Sequence, residues 1–337
     1  MKQKIVITGA NGLLGSAIAR KMVAEDHEVY LILREACETA LLADVLDKVQ
    51  VLQGDILDIF SLEAAIQPDD VVIHAAAMVS FSPKEQEKMV KTNVEGTTNV
   101  VNICLSQKAS KLIFISSVAA IGRPSMFKKE SITTINEEQK WEESPLNTFY
   151  AKTKYLAECE VWRGVAEGLN ALVICPSVIL GEGDWTRSST QLFKYVANEN
   201  RFYTGGIVNY VDAKDVATAI HELNKANVLN ERFILSAGQV SYKILFETIA
   251  ACLHKKAPST LVKPWLAAII WRLEAVRSFF TGKTPLITKE TAHSAENLFY
   301  YDSAKLQGTI PFTFKTLEET INRICGFLQR EIEQIND

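Results

Sequence analysis

Lys4-Ile-Val-Ile-Thr-Gly-Ala-Asn-Gly-Leu-Leu-Gly15 is the stretch whose reading decides the fold. Its first five residues form an apolar, β-branched run of strand length, and Leu14, Ile18 and Met22 then recur at helical spacing. Between strand and helix, Gly9, Gly12 and Gly15 make a GxxGxxG turn. Glycine there lets the chain turn sharply, lets backbone approach a pyrophosphate, and lets the helix pack close to the strand. The helix N-terminus offers unsatisfied N–H groups and the positive end of its dipole to the phosphates. A glycine triplet alone is a common structural turn; the strand before it and the helix after it make it a dinucleotide site. Gly9, Asn11, Gly12, Leu13, Leu14 and Gly15 are the expected cofactor contacts of this loop.

Outward from the loop, apolar runs alternate with amphipathic stretches. Glu28–Leu33, Val49–Leu52, Asp70–His74, Lys111–Ser116 and Ala171–Cys175 read as strands. Strands this apolar, separated by helices, require a parallel sheet covered on both faces: a doubly wound α/β domain of the Rossmann type. After Pro176 the pattern loosens into helical segments near 187–199, 241–254, 264–280 and 316–329, with Asn209–Asp212 and Arg232–Leu235 as strands able to return to the sheet. The expected division is a nucleotide-binding domain of residues 1–175 and 207–236, with a smaller, discontinuous C-terminal substrate lobe of 176–206 and 237–337.

Composition narrows the functional classes. The 337 residues are 47% apolar and 23% charged, an ordinary globular balance. Thirty-six basic against 40 acidic residues leave a net charge of −4, which supplies no field for nucleic acid or an anionic membrane. The six cysteines (37, 104, 159, 175, 252 and 325) include no CxxC pair, so neither a metal site nor a disulfide framework is expected. The first strand begins at once, without the apolar stretch of a secretory signal, and a reducing, cytoplasmic setting is the expectation. Pro264–Phe280 is strongly apolar, but Arg272, Glu274 and Arg277 interrupt it well short of the ~20 residues a membrane span needs. It reads as a buried helix of the second lobe, with Trp265, Trp271 and Phe279 walling an apolar substrate pocket. Aromatic residues at 299–301 point the same way.

At the end of the second strand stand Arg34 and Glu35. A basic residue there pairs with a 2′-phosphate and an acidic one with the ribose hydroxyls; Arg34 comes first, so NADP is preferred over NAD. Asp55 and Ile56 follow the third strand, where a carboxylate and an apolar side chain flank an adenine. Tyr150 and Lys154 are four apart on a helical segment, hence on one face, with Tyr155, Leu156 and Cys159 assigned to its buried side. A free phenol has a pKa of about 10, so acid/base work near neutrality needs a shift of roughly 3 units, for which a nearby ammonium is the natural source. That spacing is common on ordinary helices. Ser116 and Ser117 strengthen it, because they end the fifth strand at the edge where ligands of open α/β sheets bind.

Seven segments, TGANGLLG (8–15), GDILD (54–58), HAAA (74–77), NVEGT (93–97), FISSVAAIG (114–122), YAKTK (150–154) and CPSVILG (175–181), occur in the order and approximate spacing of the extended short-chain dehydrogenases/reductases, the NAD-dependent epimerase/dehydratase superfamily. The resemblance spans nearly the whole chain. It is strongest to the dihydroflavonol 4-reductase and cinnamoyl-CoA reductase branch, with sugar-nucleotide epimerases and 3β-hydroxysteroid dehydrogenases nearby. It implies that Tyr150 is the general acid/base, that Lys154 lowers its pKa and binds the nicotinamide ribose, and that Ser117 is the catalytic serine. It further implies a structural or proton-relay role for Asn93, a cofactor lining from Ala75, Ala76 and Ala77, and passage of Pro176, Ser177 and Val178 near the nicotinamide. Cys175 departs from the Arg that many relatives carry before the Pro, and Glu35 from their Asp. His74, ending a buried strand, is assigned a structural place.

The implied activity is reduction of a ketone or aldehyde, hydride coming from the nicotinamide and the proton from Tyr150. Two alternatives stand beside it: a nucleotide-sugar epimerase or dehydratase that retains its cofactor, for which Arg187, Lys194 and Arg201 could hold a diphosphate, and a cofactor-sensing binding protein. The resemblance also implies a homodimer through helices around 85–107 and 147–168, although Met89, Val90, Val94, Val100, Val101 and Leu105 suit a core face equally well.

Overall fold

The computed structural model describes residues 2–124, 133–184, 188–262 and 299–336. Strands β1 (Lys4–Thr8), β2 (Glu28–Leu33), β3 (Gln50–Gln53), β4 (Val71–His74) and β5 (Lys111–Ile115) belong to one sheet. After β6 (Thr133–Ile135) come β7 (Ala171–Pro176), β8 (Val178–Leu180), β9 (Phe202–Tyr203), β10 (Ile207–Asp212) and β11 (Glu231–Leu235). The seven-stranded sheet runs β11-β7-β5-β4-β1-β2-β3 with every neighbouring pair parallel. The chain therefore moves outward from β1 through β2 and β3, then returns to β4 on the other side. At that reversal Thr8 sits opposite His74, so the loops leaving β1 and β4 lie side by side at the carboxyl edge.

Helices close both faces. Helix α1 (Leu13–Ala24) follows β1, α2 (Ile59–Ala65) follows β3, and α3 (Gln86–Val90) runs through a π-helical turn at Lys91–Glu95 into α4 (Gly96–Ser106). The short α5 (Val118–Ile121) precedes α6 (Phe149–Ala166); α7 (Gln191–Ala197), α8 (Ala213–Lys225) and α9 (Tyr242–Leu253) follow. On one face, Leu14, Ile18 and Met22 of α1 and Val216, Ile220 and Leu223 of α8 pack on Ile5, Ile7 and Ile73. On the other, Val100 and Cys104 of α4 and Ala157 and Val161 of α6 cover Val6, Val72 and Phe114. Each such large apolar side chain contributes about 1.5–3 kcal/mol of burial.

A third core joins Phe193 of α7, Leu245 and Ile249 of α9, and Ile321, Ile324 and Leu328 of a C-terminal helix. Strands β12 (Gly238–Ser241), β13 (Thr260–Leu261) and β14 (Phe299–Tyr301) and helices α10 (Ala304–Thr309) and α11 (Leu317–Asn336) complete the described chain. Among the described residues no helix is long and apolar enough to cross a membrane.

Two sequence readings change here. Residues 209–212, expected to return to the parallel sheet, lie in β10, which pairs with β12 and β8 in a separate three-stranded sheet. The edge position beside β7 is taken by β11, and Ser177 N bonds to Leu235 O where the chain leaves that edge. Of the aromatic residues at 299–301, Phe299 and Tyr301 lie in the sheet core rather than at a pocket, 4% and 5% exposed, where β14 pairs with β6. The helix read at 264–280, with Trp265, Trp271 and Phe279, lies outside the described residues.

The junction of β1 and α1 leaves no room for side chains. A Cβ on Gly15 would stand 2.1 Å from Gly9 O, a backbone atom that cannot swing away. Gly15→Ala is therefore expected to cost about 1–3 kcal/mol through forced backbone displacement, read as a lowered midpoint in urea unfolding.

Candidate active site

The glycine loop has the geometry of a phosphate cradle. Gly9 has φ +70, and a Cβ there would come within 2.5 Å of Ala76 N. This contact sets the β1 loop directly against Ala75 and Ala76 of the β4 loop, and Ala75 N bonds to Thr8 O. Helix α1 begins at Gly12 with no side-chain cap and no acidic residue in its first turn. Its first N–H groups and dipole are thus left for an anionic ligand. Asn11 reaches back to Glu38 O at 3.4 Å, and Leu13 leans on Gly181. Arg34 and Glu35 are both exposed at the end of β2, and neither makes an ion pair among the described residues.

Asp55 and Ile56 sit beside this cradle in different states. The Asp55 carboxylate accepts from Leu57 N at 2.9 Å, capping its own turn. Ile56 is 8% exposed and belongs to the core against α4, so little of it remains for a ligand. Ala77, Val79, Phe81 and Val178 are all exposed, and the Ser177 hydroxyl is buried and has no partner among the described residues.

Tyr150 opens α6, whose N-cap Thr148 accepts from Ala151 N. The Ser117 side chain lies close enough to the Tyr150 phenol to favour the phenolate, which brings together the two groups read as catalytic. Ser117 in turn caps α5 by accepting from Ala119 N at 3.2 Å. Lys154 is 2% exposed; its Nζ donates to Ile115 O at 2.8 Å and stands 4.4 Å from the centre of the Phe114 ring. Burial pulls its ammonium down to about 8, opposed by the carboxylate of Glu158.

The expected downward shift of Tyr150 is reversed. Burial pushes the phenol up to about 12, with the Ser117 hydrogen bond pulling weakly the other way. The reason is that Lys154 turns its charge to a backbone carbonyl and an aromatic face. Tyr150 is thus a protonated acid in this state. The α6 orientation also differs from the reading: Leu156 and Cys159 are exposed, and the sheet-facing stripe is Ala151, Lys154, Ala157, Glu158 and Val161. Polar side chains occupy that stripe because partners across the sheet satisfy them. The Ser116 hydroxyl is one, donating to Glu158 Oε2 at 2.6 Å rather than facing the groove.

Asn93 lies in the π-helical turn and is fully engaged. Its amide nitrogen donates to Met78 O and to Thr153 Oγ1, and its Oδ1 accepts from Met78 N. It ties the β4 loop to α6. Behind it, Thr97 Oγ1 donates to Asn93 O at 2.6 Å, which leaves Thr97 Oγ1 to accept from His74 Nε2 at 3.1 Å. His74 Nδ1 then accepts from Thr8 Oγ1 at 2.7 Å, and Thr8 Oγ1 accepts from Ala76 N. Burial and the Lys154 charge hold the imidazole neutral down to about 3.

The profile described as NAD dependent epimerase/dehydratase family matches residues 5–234. A Synechocystis sp. protein named "Putative dihydroflavonol 4-reductase" is 24% identical over 306 residues, 89% of this chain and 87% of its own. Anthocyanidin reductase of Arabidopsis thaliana is 24% identical over 265 residues, covering 71% of this chain and 77% of that one. The solved UDP-glucose 4-epimerase of Thermotoga maritima superposes with a TM-score of 0.76 at 18% identity, over 98% of this chain and 100% of that one, a likeness of fold.

The state of His74 has a measurable consequence. Its pKa near 3 in the folded chain compares with an ordinary 6.5, so between these values the unfolded chain binds a proton that the folded one refuses. Stability therefore falls as pH drops below about 6.5, by up to about 1.4 kcal/mol per pH unit. Urea midpoints measured from neutral pH downward should fall more steeply for the wild type than for His74→Gln; parallel slopes would contradict the assignment.

Proposed function

Because the chain belongs to the NAD dependent epimerase/dehydratase family, we propose that it acts as a nicotinamide-dependent reductase, converting a ketone or aldehyde to an alcohol with NADP preferred over NAD. The observation that carries this reading is the placement of Ser117, just past the end of β5 at the carboxyl edge of the sheet, beside the Tyr150 phenol, with Lys154 one turn further along α6. A phenol held as an acid suits delivery of a proton to a carbonyl oxygen.

The residues present fit a dinucleotide. Gly9 and Gly15 permit backbone contacts too close for any side chain and so bring the β1 loop, the β4 loop and α1 together, the α1 N-terminus has no side-chain cap, and Arg34 is exposed at the end of β2, where a 2′-phosphate would bind in this reading. In this reading Gly9, Gly12 and the α1 N–H groups hold the pyrophosphate, Arg34 the 2′-phosphate, Ala75 to Ala77 the groove floor, and Lys154 the nicotinamide ribose. The bound dinucleotide supplies the hydride. Ser117 hydrogen-bonds the substrate oxygen, Tyr150 donates its proton to that oxygen, and the Lys154 ammonium stabilises the phenolate left behind. Exposed Phe81, set edge-on to Tyr150 with ring centroids 6.5 Å apart, together with Val79 and Val178, favours an apolar carbonyl compound.

Titration with NADPH and NADH, followed by energy transfer from tryptophan to the nicotinamide, tests the cofactor assignment. Tighter NADPH is expected, and Arg34→Ala should weaken NADPH about tenfold or more by removing a charge-assisted bond, with NADH little changed. Tighter NADH in the wild type would reassign Arg34 and favour the epimerase reading. With a carbonyl substrate found by screening aldehydes and ketones against NADPH oxidation, Tyr150→Phe should lower turnover by about 10²–10⁴; full turnover in that variant would rule the mechanism out.

A further inference from the structure

Glu158 lies on α6 one turn beyond Lys154 and two beyond Tyr150, at spacings that share a helix face. It is 2% exposed, and four donors converge on its carboxylate. Oε2 accepts from the Ser116 hydroxyl at 2.6 Å and the Cys175 thiol at 3.9 Å. Oε1 accepts from the Trp162 indole at 3.1 Å and from Arg232 Nη1 at 2.9 Å. An ionised carboxylate, which accepts only, meets every one of these donors. Charges are buried this completely where they are paired and hydrogen-bonded, and removing one partner of such a pair is strongly destabilising. The roles given to Ser117, Tyr150 and Lys154 make no use of this group.

The contact extends beyond α6. Arg232 Nη2 donates to the carbonyls of Glu137 and Gln139, which lie between β6 and α6. From the same segment Trp141 stacks on Tyr155 of α6, with centroids 4.5 Å apart. Glu158 thus joins the end of β5, the edge strand β11 and the approach to α6 at one point.

It also bears on the charge of Lys154. The titratable groups around that ammonium are Glu158 and Tyr150 from its own helix, His74 from β4 and Cys175 from β7, with Arg232 of β11 standing behind Glu158. Burial disfavours the ammonium, and Glu158 is the foremost group opposing that effect. Resting on the reading of Tyr150 and Lys154 given above, we propose that Glu158 is a positioning residue for that pair: from behind the site its carboxylate fixes the Ser116 turn against α6 and sets a negative charge one helical turn from Lys154, the residue read as holding the cofactor ribose.

The probe is NADPH bound to the full chain, with affinity followed by energy transfer from tryptophan across about pH 6–10, where a lysine depressed by burial titrates. Wild-type affinity should weaken along an alkaline limb as Lys154 loses its proton. Glu158→Gln, which keeps the side chain's size and removes its charge, should move that limb down by about one pH unit. Glu158→Asp, which keeps the charge, should leave it in place. Should Glu158→Gln fold poorly with Arg232 unopposed, the double variant Glu158→Gln/Arg232→Gln removes the pair together and should show the same shift. An unmoved limb in whichever of these folds overturns the proposal. Lys154→Met separates the two layers: a limb that persists there overturns Lys154 as a cofactor ligand, whereas a limb abolished there but unmoved by loss of the Glu158 charge overturns Glu158 alone.

Discussion

The approach of three backbone segments at the centre of the carboxyl edge governs the molecule. Gly9 lies against Ala76, and Gly15 lies against Gly9, each too close for a side chain. This packing lets α1 start beside β1 rather than above it, brings the β1 and β4 loops together, and leaves the helix end open toward the groove. Everything assigned to the cofactor depends on it. So does the core on that face, since Leu14, Ile18 and Met22 reach β1 and α8 only when the helix lies this close.

Around that centre the site is an arrangement of buried polar groups whose charges compensate. Glu158 stands between Lys154 and Arg232 of the edge strand β11, with a neutral His74 near Lys154. The phenol of Tyr150 meets a hydroxyl rather than an ammonium.

The parts visible in the sequence were those whose cause is local. GxxGxxG between a strand and a helix, the apolar strand runs, and Tyr150 with Lys154 one turn on all follow from spacing along a single element. What escaped depends on residues far apart in the chain. Glu158 is a charged residue that no local spacing assigns to the core, and its burial requires Ser116, 42 residues before it, and Arg232, 74 residues after it. Its place eight residues after Tyr150 was the available clue. Assigning Leu156 and Cys159 to the buried side followed hydrophobicity, where the structure followed hydrogen bonding. Strand β10 differs from its reading for a similar reason: its periodicity marks it as a strand without saying which edge will accept it.

The string of bonds from Ala76 through Thr8, His74 and Thr97 to Asn93 begins at a peptide N–H and ends at a peptide C=O. Neither end can exchange its role, so the string has a fixed polarity. A relay must be able to reset after each passage, which would require both termini to reverse. This one therefore behaves as a tension member and not as a conductor, clamping the β1 turn to the π-helical turn while confining the imidazole to a single tautomer.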